Sequence, residues 1–341
     1  LLAINARRDR AAHAAAVTSP LPLQLYSLDP DPALARGVAA ALGVALSPLE
    51  DRAFEDGEHK LRPLQDPRGS DAFVLHALYG DERFSPQDKL CRLLFLAATL
   101  RDHGAARVSA VVPYLAYARK DRQTKPFDPL TLRYVAQLFE AVGTARLIVL
   151  EAHNTAALQN AFRIPTTHLD AGAAFAAQVD GWAGAGPLAV ASPDPGGVKR
   201  AQLWREALEL RRGAPVGFAM VDKRRSAGVV SSSGLVAGDV RGSVVLLFDD
   251  LIASGDTMRR AALALRDAGA RRVVACAAHG LFTGEAARVL ADPAIDEVAV
   301  TDSVPPFRLP PDAPVRARLR VVSAAPLLAQ SISSGLCRAP C

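Results

Sequence analysis

The stretch VVLLFDDLIASGDTM, Val244 to Met258, decides how the rest of the chain is read. Five apolar residues run into two adjacent aspartates. A loop of small residues follows, and then RRAALALRDAGA, whose apolar positions have helical spacing. An apolar run without alternation belongs to a strand covered on both faces, as in a parallel sheet. Two carboxylates directly after it are costly to bury without a purpose. Asp249 and Asp250 can accept hydrogen bonds from sugar hydroxyls. The loop Ala253-Ser254-Gly255-Asp256-Thr257 can wrap a phosphate with backbone N–H groups at a helix start, where the dipole favours an anion. Ser254 and Thr257 add hydroxyl donors. Helix capping alone would explain Ser, Asp and Thr here, but not the paired acids before them.

The same grammar recurs along the chain. DAFVLHAL from Asp71, RVSAVVPYL from Arg107 and RLIVLEAH from Arg146 are strand candidates in the first half. PLAVASPD from Pro187, PVGFAMVDKRR from Pro215, RRVVACAAHG from Arg271 and DEVAVTDS from Asp296 follow in the second. Helical segments such as PLTLRYVAQLFEAVG lie between them, which makes the fold α/β with parallel sheets covered by helices. LRDHGAARVSAVVPY at Leu100 is echoed by LRDAGARRVVACAAH at Leu265 and more loosely by FEAVGTARLIVLEAH at Phe139. Each copy is a helix end, a glycine turn and a strand, and the spacing suits two α/β domains of similar build. Four successive strands end in reactive groups: Glu151 with His153, Asp194, Lys223 to Arg225, and Asp249 with Asp250. Ligands of open parallel sheets collect beyond the carboxyl ends of strands, so the four ends point to one crevice.

Composition sets the bounds. The chain has 341 residues, 50% of them hydrophobic and 22% charged, with a net charge of +5, which suits a soluble globular protein of two domains. Aromatics are 6%, and no basic run interleaved with aromatics suggests a nucleic-acid groove; binding of small anions accounts for the charge. Cys91, Cys276, Cys337 and Cys341 form no CxxC or zinc pattern and read as reduced thiols of an intracellular protein. No apolar run is long enough for a membrane span, so a cytoplasmic location without membrane contact is expected.

The loop after the paired acids resembles the phosphoribosyl-binding loop of the type I phosphoribosyltransferase fold. Taken with FEDGE, VVPYLAYARKDR, EAHNTAALQNAF, SPDPGGVKRA and DKRR, the chain from about Leu23 to about Ser333 resembles the ribose-phosphate pyrophosphokinase family in motif order and approximate spacing. The resemblance implies two tandem type I phosphoribosyltransferase-like domains. It also implies transfer of the diphosphoryl group of ATP to the 1-hydroxyl of ribose 5-phosphate, giving phosphoribosyl pyrophosphate and AMP, with Mg2+ as cofactor. Lys223 and Arg225 are then the catalytic pair, at the root of a Ser/Gly-rich lid. Phe54, Asp56, Gly57 and Glu58 form an adenine-binding hairpin lent by a neighbouring subunit, so the assembly is a homo-oligomer, from dimer up to hexamer. Arg119, Lys120 and His153 contact ATP, and His153 and Asp194 hold the metal, with Glu151 as a further candidate. Asp194, Asp249, Asp250 and the loop from Ala253 to Thr257 take ribose 5-phosphate.

The implied organisation is a tail without ordered structure over 1–21, an N-terminal domain over 22–168, a C-terminal domain over 169–307, and a segment 308–341 that packs back on the first domain. The chain departs from the family in three places. Lys120 stands for glutamine and Glu151 for aspartate, while Ala253 and Asp256 alter the sugar-phosphate loop. A carboxylate pointing into a phosphate site would repel it, so the Asp256 side chain is expected to turn outward, toward solvent or toward Arg259 or Arg260. A phosphoribosyltransferase or a non-catalytic regulatory homologue stays open as an alternative.

Overall fold

A computed structural model describes residues 21–29, 31–184, 186–222, 225–226, 229–230 and 235–336. The expected tail and catalytic Lys223 lie outside the described residues, apart from Leu21.

The first half builds a five-stranded parallel sheet in the order β1-β4-β5-β6-β7. Its strands are β1 (Leu23–Ser27), β4 (Asp71–Leu75), β5 (Arg107–Val112), β6 (Arg146–Leu150) and β7 (Thr166–Leu169). A separate antiparallel hairpin, β2 (Leu49–Ala53) with β3 (His59–Pro63), carries FEDGE at its tip. The helices are α1 (Ala33–Leu42), α2 (Pro86–Asp102), α3 (Thr131–Ala141) and α4 (Thr155–Ala161). Local chemistry starts α2: Ser85 and Asp88 form a capping box and proline follows at the first helical position.

The second half holds a seven-stranded sheet in the order β12-β9-β8-β13-β14-β15-β16, parallel except at the β12 edge. Its strands are β8 (Leu188–Ser192), β9 (Gly217–Asp222), β12 (Leu235–Ala237), β13 (Val244–Ile252), β14 (Arg272–Gly280), β15 (Glu297–Thr301) and β16 (Leu319–Val322). Two short strands, β10 (Arg225–Ser226) and β11 (Val229–Val230), pair antiparallel as a separate ribbon. The main helices are α5 (Gly172–Ala183), α6 (Val198–Arg212), α7 (Asp256–Asp267), a short α8 (Ala286–Val289) and α9 (Ala325–Leu336).

The apolar run of β13 follows from its place at the centre of this sheet. Val244, Leu246 and Phe248 face one core, and Val245 and Leu247 face the other. The strand continues through Asp249 and Asp250 to Ile252, two residues past the acids at which it was expected to stop, because Leu251 still pairs with His279 of β14. The three echoed junctions are real: helix ends at Asp102, Ala141 and Asp267 lead through left-handed Gly104, Gly143 and Gly269 into β5, β6 and β14.

One apolar core joins the two sheets. Leu25, Phe73 and Ile148 of the first share it with Val190, Leu246 and Phe248 of the second, and Phe175 and Trp204 lie among them. After β16 the chain returns to the first half, where α9 packs on α1 and Ala325 closes on Gly37. The shared core holds the carboxyl ends of β6 and β13 on opposite walls of one cleft. Among the described residues no helix is long and apolar enough to cross a membrane.

Candidate active site

The cleft has a volume of about 1120 Å³. Its walls bring together Arg119, Glu151 and His153 of the first half with Asp194, Asp249, Asp250, Ala253, Ser254, Gly255 and Thr257 of the second. Three of the four strand ends expected to share a crevice therefore meet in it, those of Glu151 with His153, Asp194, and Asp249 with Asp250, while Lys223 lies outside the described residues and Arg225 is described only as part of β10.

On the second wall, β13 delivers the paired acids and the loop beyond it turns sharply into α7. Gly255 makes that turn at φ 84°, and an added Cβ would lie 2.9 Å from the Leu290 side chain, so glycine is required there twice over. The first-turn N–H groups of α7 have no partners within the helix, and they open at the loop. Asp256, the misfit of that loop, turns outward as expected. Its carboxylate is 52% exposed, accepts from the Ser254 hydroxyl at 2.9 Å, and lies 3.9 Å from Arg259. Nearby, the Asp194 carboxylate accepts from the Gly196 N–H at 3.0 Å. Gly197 sits so close to β8 that a Cβ would fall 2.7 Å from Ser192 Oγ.

On the first wall, Glu151 takes a left-handed backbone, φ 43°, which a β-carbon disfavours. That kink sends Glu151 and His153 in different directions. Glu151 is buried, accepting from Arg200 Nε and from the Ala171 N–H, each at 2.9 Å. His279, buried on β14, holds the strained carbonyl of Glu151 through Nε2 at 3.2 Å. His153 reaches across the cleft, its Nδ1 2.7 Å from Asp250 Oδ2.

Three carboxylates, Glu151, Asp249 and Asp250, surround a single guanidinium, Arg200. One cation cannot offset the desolvation of all three, and their acidities diverge. Burial pushes Asp249 up, reinforced by the neighbouring charge of Asp250. Burial opposes ionisation of Asp250 too, but the bond from His153 and the charge of Arg200 outweigh it and hold that carboxyl below its ordinary range. Burial raises Glu151 to about 7 against the pull of Arg200. The bond to Asp250 raises His153, against burial. Burial, with a smaller push from the Arg200 charge, brings His279 down to about 4.

Other expected site residues lie elsewhere. Lys120 Nζ is 2.7 Å from Asp128 Oδ2, in a turn where the same oxygen accepts from the Thr124 and Lys125 N–H groups. Its ammonium thus organises the loop after Arg119 and does not line the cleft. Phe54, Asp56, Gly57 and Glu58, at the tip of their hairpin, do not line the cleft of their own chain. Phe54 is 42% exposed under the Arg52 guanidinium, and Asp56 caps the Glu58 N–H at 3.0 Å. Arg225 sits in β10.

The cleft also contains residues that the sequence reading did not single out: Asn154, His168, Asp170, Lys199 and Arg200. Arg200 stood in the quoted SPDPGGVKRA, and its place in the first turn after a glycine-rich strand end was the available signal. Among the described residues, no three His, Cys, Asp or Glu side chains converge where they could hold a metal ion by themselves.

Two family models match the chain. The N-terminal domain of ribose phosphate pyrophosphokinase covers residues 23–143, and the phosphoribosyl synthetase-associated domain covers residues 231–332. A ribose-phosphate pyrophosphokinase of Caldanaerobacter subterraneus subsp. tengcongensis is 35% identical over 310 residues, spanning 91% of this chain and 93% of its own. One from Gloeobacter violaceus is 36% identical over 311 residues, 91% of this chain and 89% of its own. Among solved structures, phosphoribosylpyrophosphate synthetase from Mycobacterium smegmatis matches with a TM-score of 0.78 at 32% identity, over 92% of this chain and 98% of that one.

Proposed function

Because this chain belongs to the ribose-phosphate pyrophosphokinase family, we propose that its cleft brings ATP and ribose 5-phosphate together. The anomeric oxygen of the sugar attacks the β-phosphorus, the bond to the α,β-bridging oxygen breaks, and AMP leaves as phosphoribosyl pyrophosphate forms. The observation that carries this reading is the pairing of two half-sites across one cleft. Asp249 and Asp250, with the loop at the α7 start, face Arg119 and His153 at the ends of the first sheet.

Each half suits its substrate. The loop from Ala253 to Thr257 offers backbone N–H groups and the Thr257 hydroxyl to the 5-phosphate, with the Asp256 carboxylate directed away and holding the Ser254 hydroxyl proton. Asp249 and Asp250 accept from ribose hydroxyls. Arg119 supplies positive charge to the nucleotide phosphates, and Lys223 and Arg225 are assigned to the transferring group. Such a transfer is mainly positioning and charge neutralisation.

Mg2+ would neutralise the phosphates of the nucleotide. It takes few protein ligands beside water and phosphate oxygens, and His153 fits that role. Its Nδ1 is engaged by Asp250, which leaves Nε2 for a metal in the carboxylate–histidine–metal arrangement. Asp194 is the second group. Glu151, with both oxygens engaged, is assigned to Arg200 and not to the metal. Lys120, tied to Asp128, is assigned to the loop that presents Arg119. The FEDGE hairpin, which does not line its own cleft, is assigned to the adenine site of a neighbouring subunit, so a cytoplasmic homo-oligomer is part of this reading.

Relatives alike over 91% of the chain are pyrophosphokinases, which favours this reaction over a phosphoribosyltransferase or a non-catalytic homologue. Incubation with ATP, Mg2+ and ribose 5-phosphate should yield AMP and phosphoribosyl pyrophosphate in equal amounts. AMP no higher than in a control without sugar would overturn the reading.

A further inference from the structure

One buried cation in the cleft has no task in the chemistry above. The Arg200 side chain is 13% exposed and touches both walls at once. Toward the first sheet, Nε donates to Glu151 Oε1 at 2.9 Å and Nη2 donates to the His153 carbonyl at 3.0 Å. Toward the second, Nη1 donates to Asp249 Oδ1 at 3.3 Å and lies 3.9 Å from Asp250 Oδ1. The planar fork of a guanidinium fixes the relative direction of its bonds. The end of β6, which carries His153, is thereby held in register with the end of β13, which carries the paired acids.

Its surroundings argue against a phosphate clamp. Three acidic side chains stand around Arg200 and engage it, and the ionised Asp250 among them would repel a phosphate while welcoming a hydroxyl. Most of its donors are already used. Glu151, in turn, is held from behind by the Ala171 N–H and through its carbonyl by His279, so the fork is anchored on a fixed base.

We propose that Arg200 is a positioning residue that registers the sugar half of the cleft against the nucleotide half, an assignment that rests on the pyrophosphokinase reading of that cleft. Misplacement of reacting groups by about 1 Å costs on the order of a hundredfold in rate. Lysine keeps the charge but cannot contact both walls.

The test uses the full chain and compares wild type with Arg200→Lys, Glu151→Gln and the double variant. Turnover, KM for both substrates and calorimetric binding of ribose 5-phosphate are measured, and circular dichroism checks the fold. Arg200→Lys should lose about thirtyfold or more in kcat, with both KM values and the sugar-phosphate Kd within about threefold of wild type. Glu151→Gln, isosteric and uncharged, should lose about tenfold in kcat alone. The double variant should match Arg200→Lys within about twofold, because Glu151 acts through Arg200. Arg200→Lys turnover within threefold of an active wild type, an effect confined to one KM, or multiplicative losses in the double variant would each overturn the assignment. If the Lys variant does not fold, the Glu151→Gln result decides: unchanged kcat overturns it. A wild type that makes no AMP overturns the pyrophosphokinase reading and this assignment together.

Discussion

Replacing Glu151 by glutamine keeps the size of the side chain but removes an acid that the fold holds against ionisation. Burial raises this carboxyl from 4.5 to about 7, since Arg200 is shared with Asp249 and Asp250 and cannot restore the lost hydration. Between those two values the folded chain keeps a proton that the unfolded chain has released. Stability from this group is therefore present below the unfolded value and lost as pH rises through the folded one. At 1.36 kcal/mol per pH unit for one group, the loss between pH 5 and pH 8 is about 2–3 kcal/mol. His279 has the opposite sign: burial lowers it to about 4, so its contribution is lost as pH falls from the ordinary histidine range. That contribution is common to both proteins and cancels in their difference. Urea unfolding, followed by fluorescence of the buried Trp182 and Trp204 without Mg2+ or nucleotide, gives the measurement. The stability of Glu151→Gln relative to wild type should rise by about 2–3 kcal/mol from pH 5 to pH 8. A difference flat to within about 0.5 kcal/mol would show that Arg200 keeps Glu151 ionised throughout, and would refute the shared-cation argument.

Asp256→Gly should change the affinity for ribose 5-phosphate by less than about tenfold, because the carboxylate already faces outward; a hundredfold gain in calorimetry would mean that it turns inward and opposes substrate. Lys223→Ala should reduce kcat by orders of magnitude and leave ribose 5-phosphate binding nearly intact. A loss under about tenfold, equivalent to about 1.4 kcal/mol, would remove Lys223 from the catalytic assignment. Phe54→Ala should raise KM for ATP with unchanged circular dichroism. A variant with wild-type KM in the assembled protein would detach the hairpin from the adenine site.

The sequence by itself determined whatever is written in consecutive residues. The run VVLLF had to lie in a central strand because no alternation was available to face water. The acids after it, the glycine turn and the helix start made legible the loop that is proposed to take the sugar phosphate. The outward Asp256 was legible too, since a phosphate and a carboxylate cannot share one helix start. The tertiary structure decided what depends on convergence. Arg200 reads locally as one more charge in the first turn of a helix. It becomes the centre of the cleft because the shared core brings β6 to within one side chain of β13. The family resemblance made Glu151 a further candidate for the metal. A left-handed backbone, held by His279 from a strand more than a hundred residues away in sequence, points it at Arg200. Lys120, expected at ATP, pairs in the structure with Asp128 in the following turn, a pairing set by loop geometry that spacing alone does not encode. The FEDGE tip was legible as a turn, but its absence from the lining of its own cleft was not. Local chemistry is fixed by which residues are adjacent along the chain, whereas the partners of a buried charge are fixed by packing, which brings distant segments together.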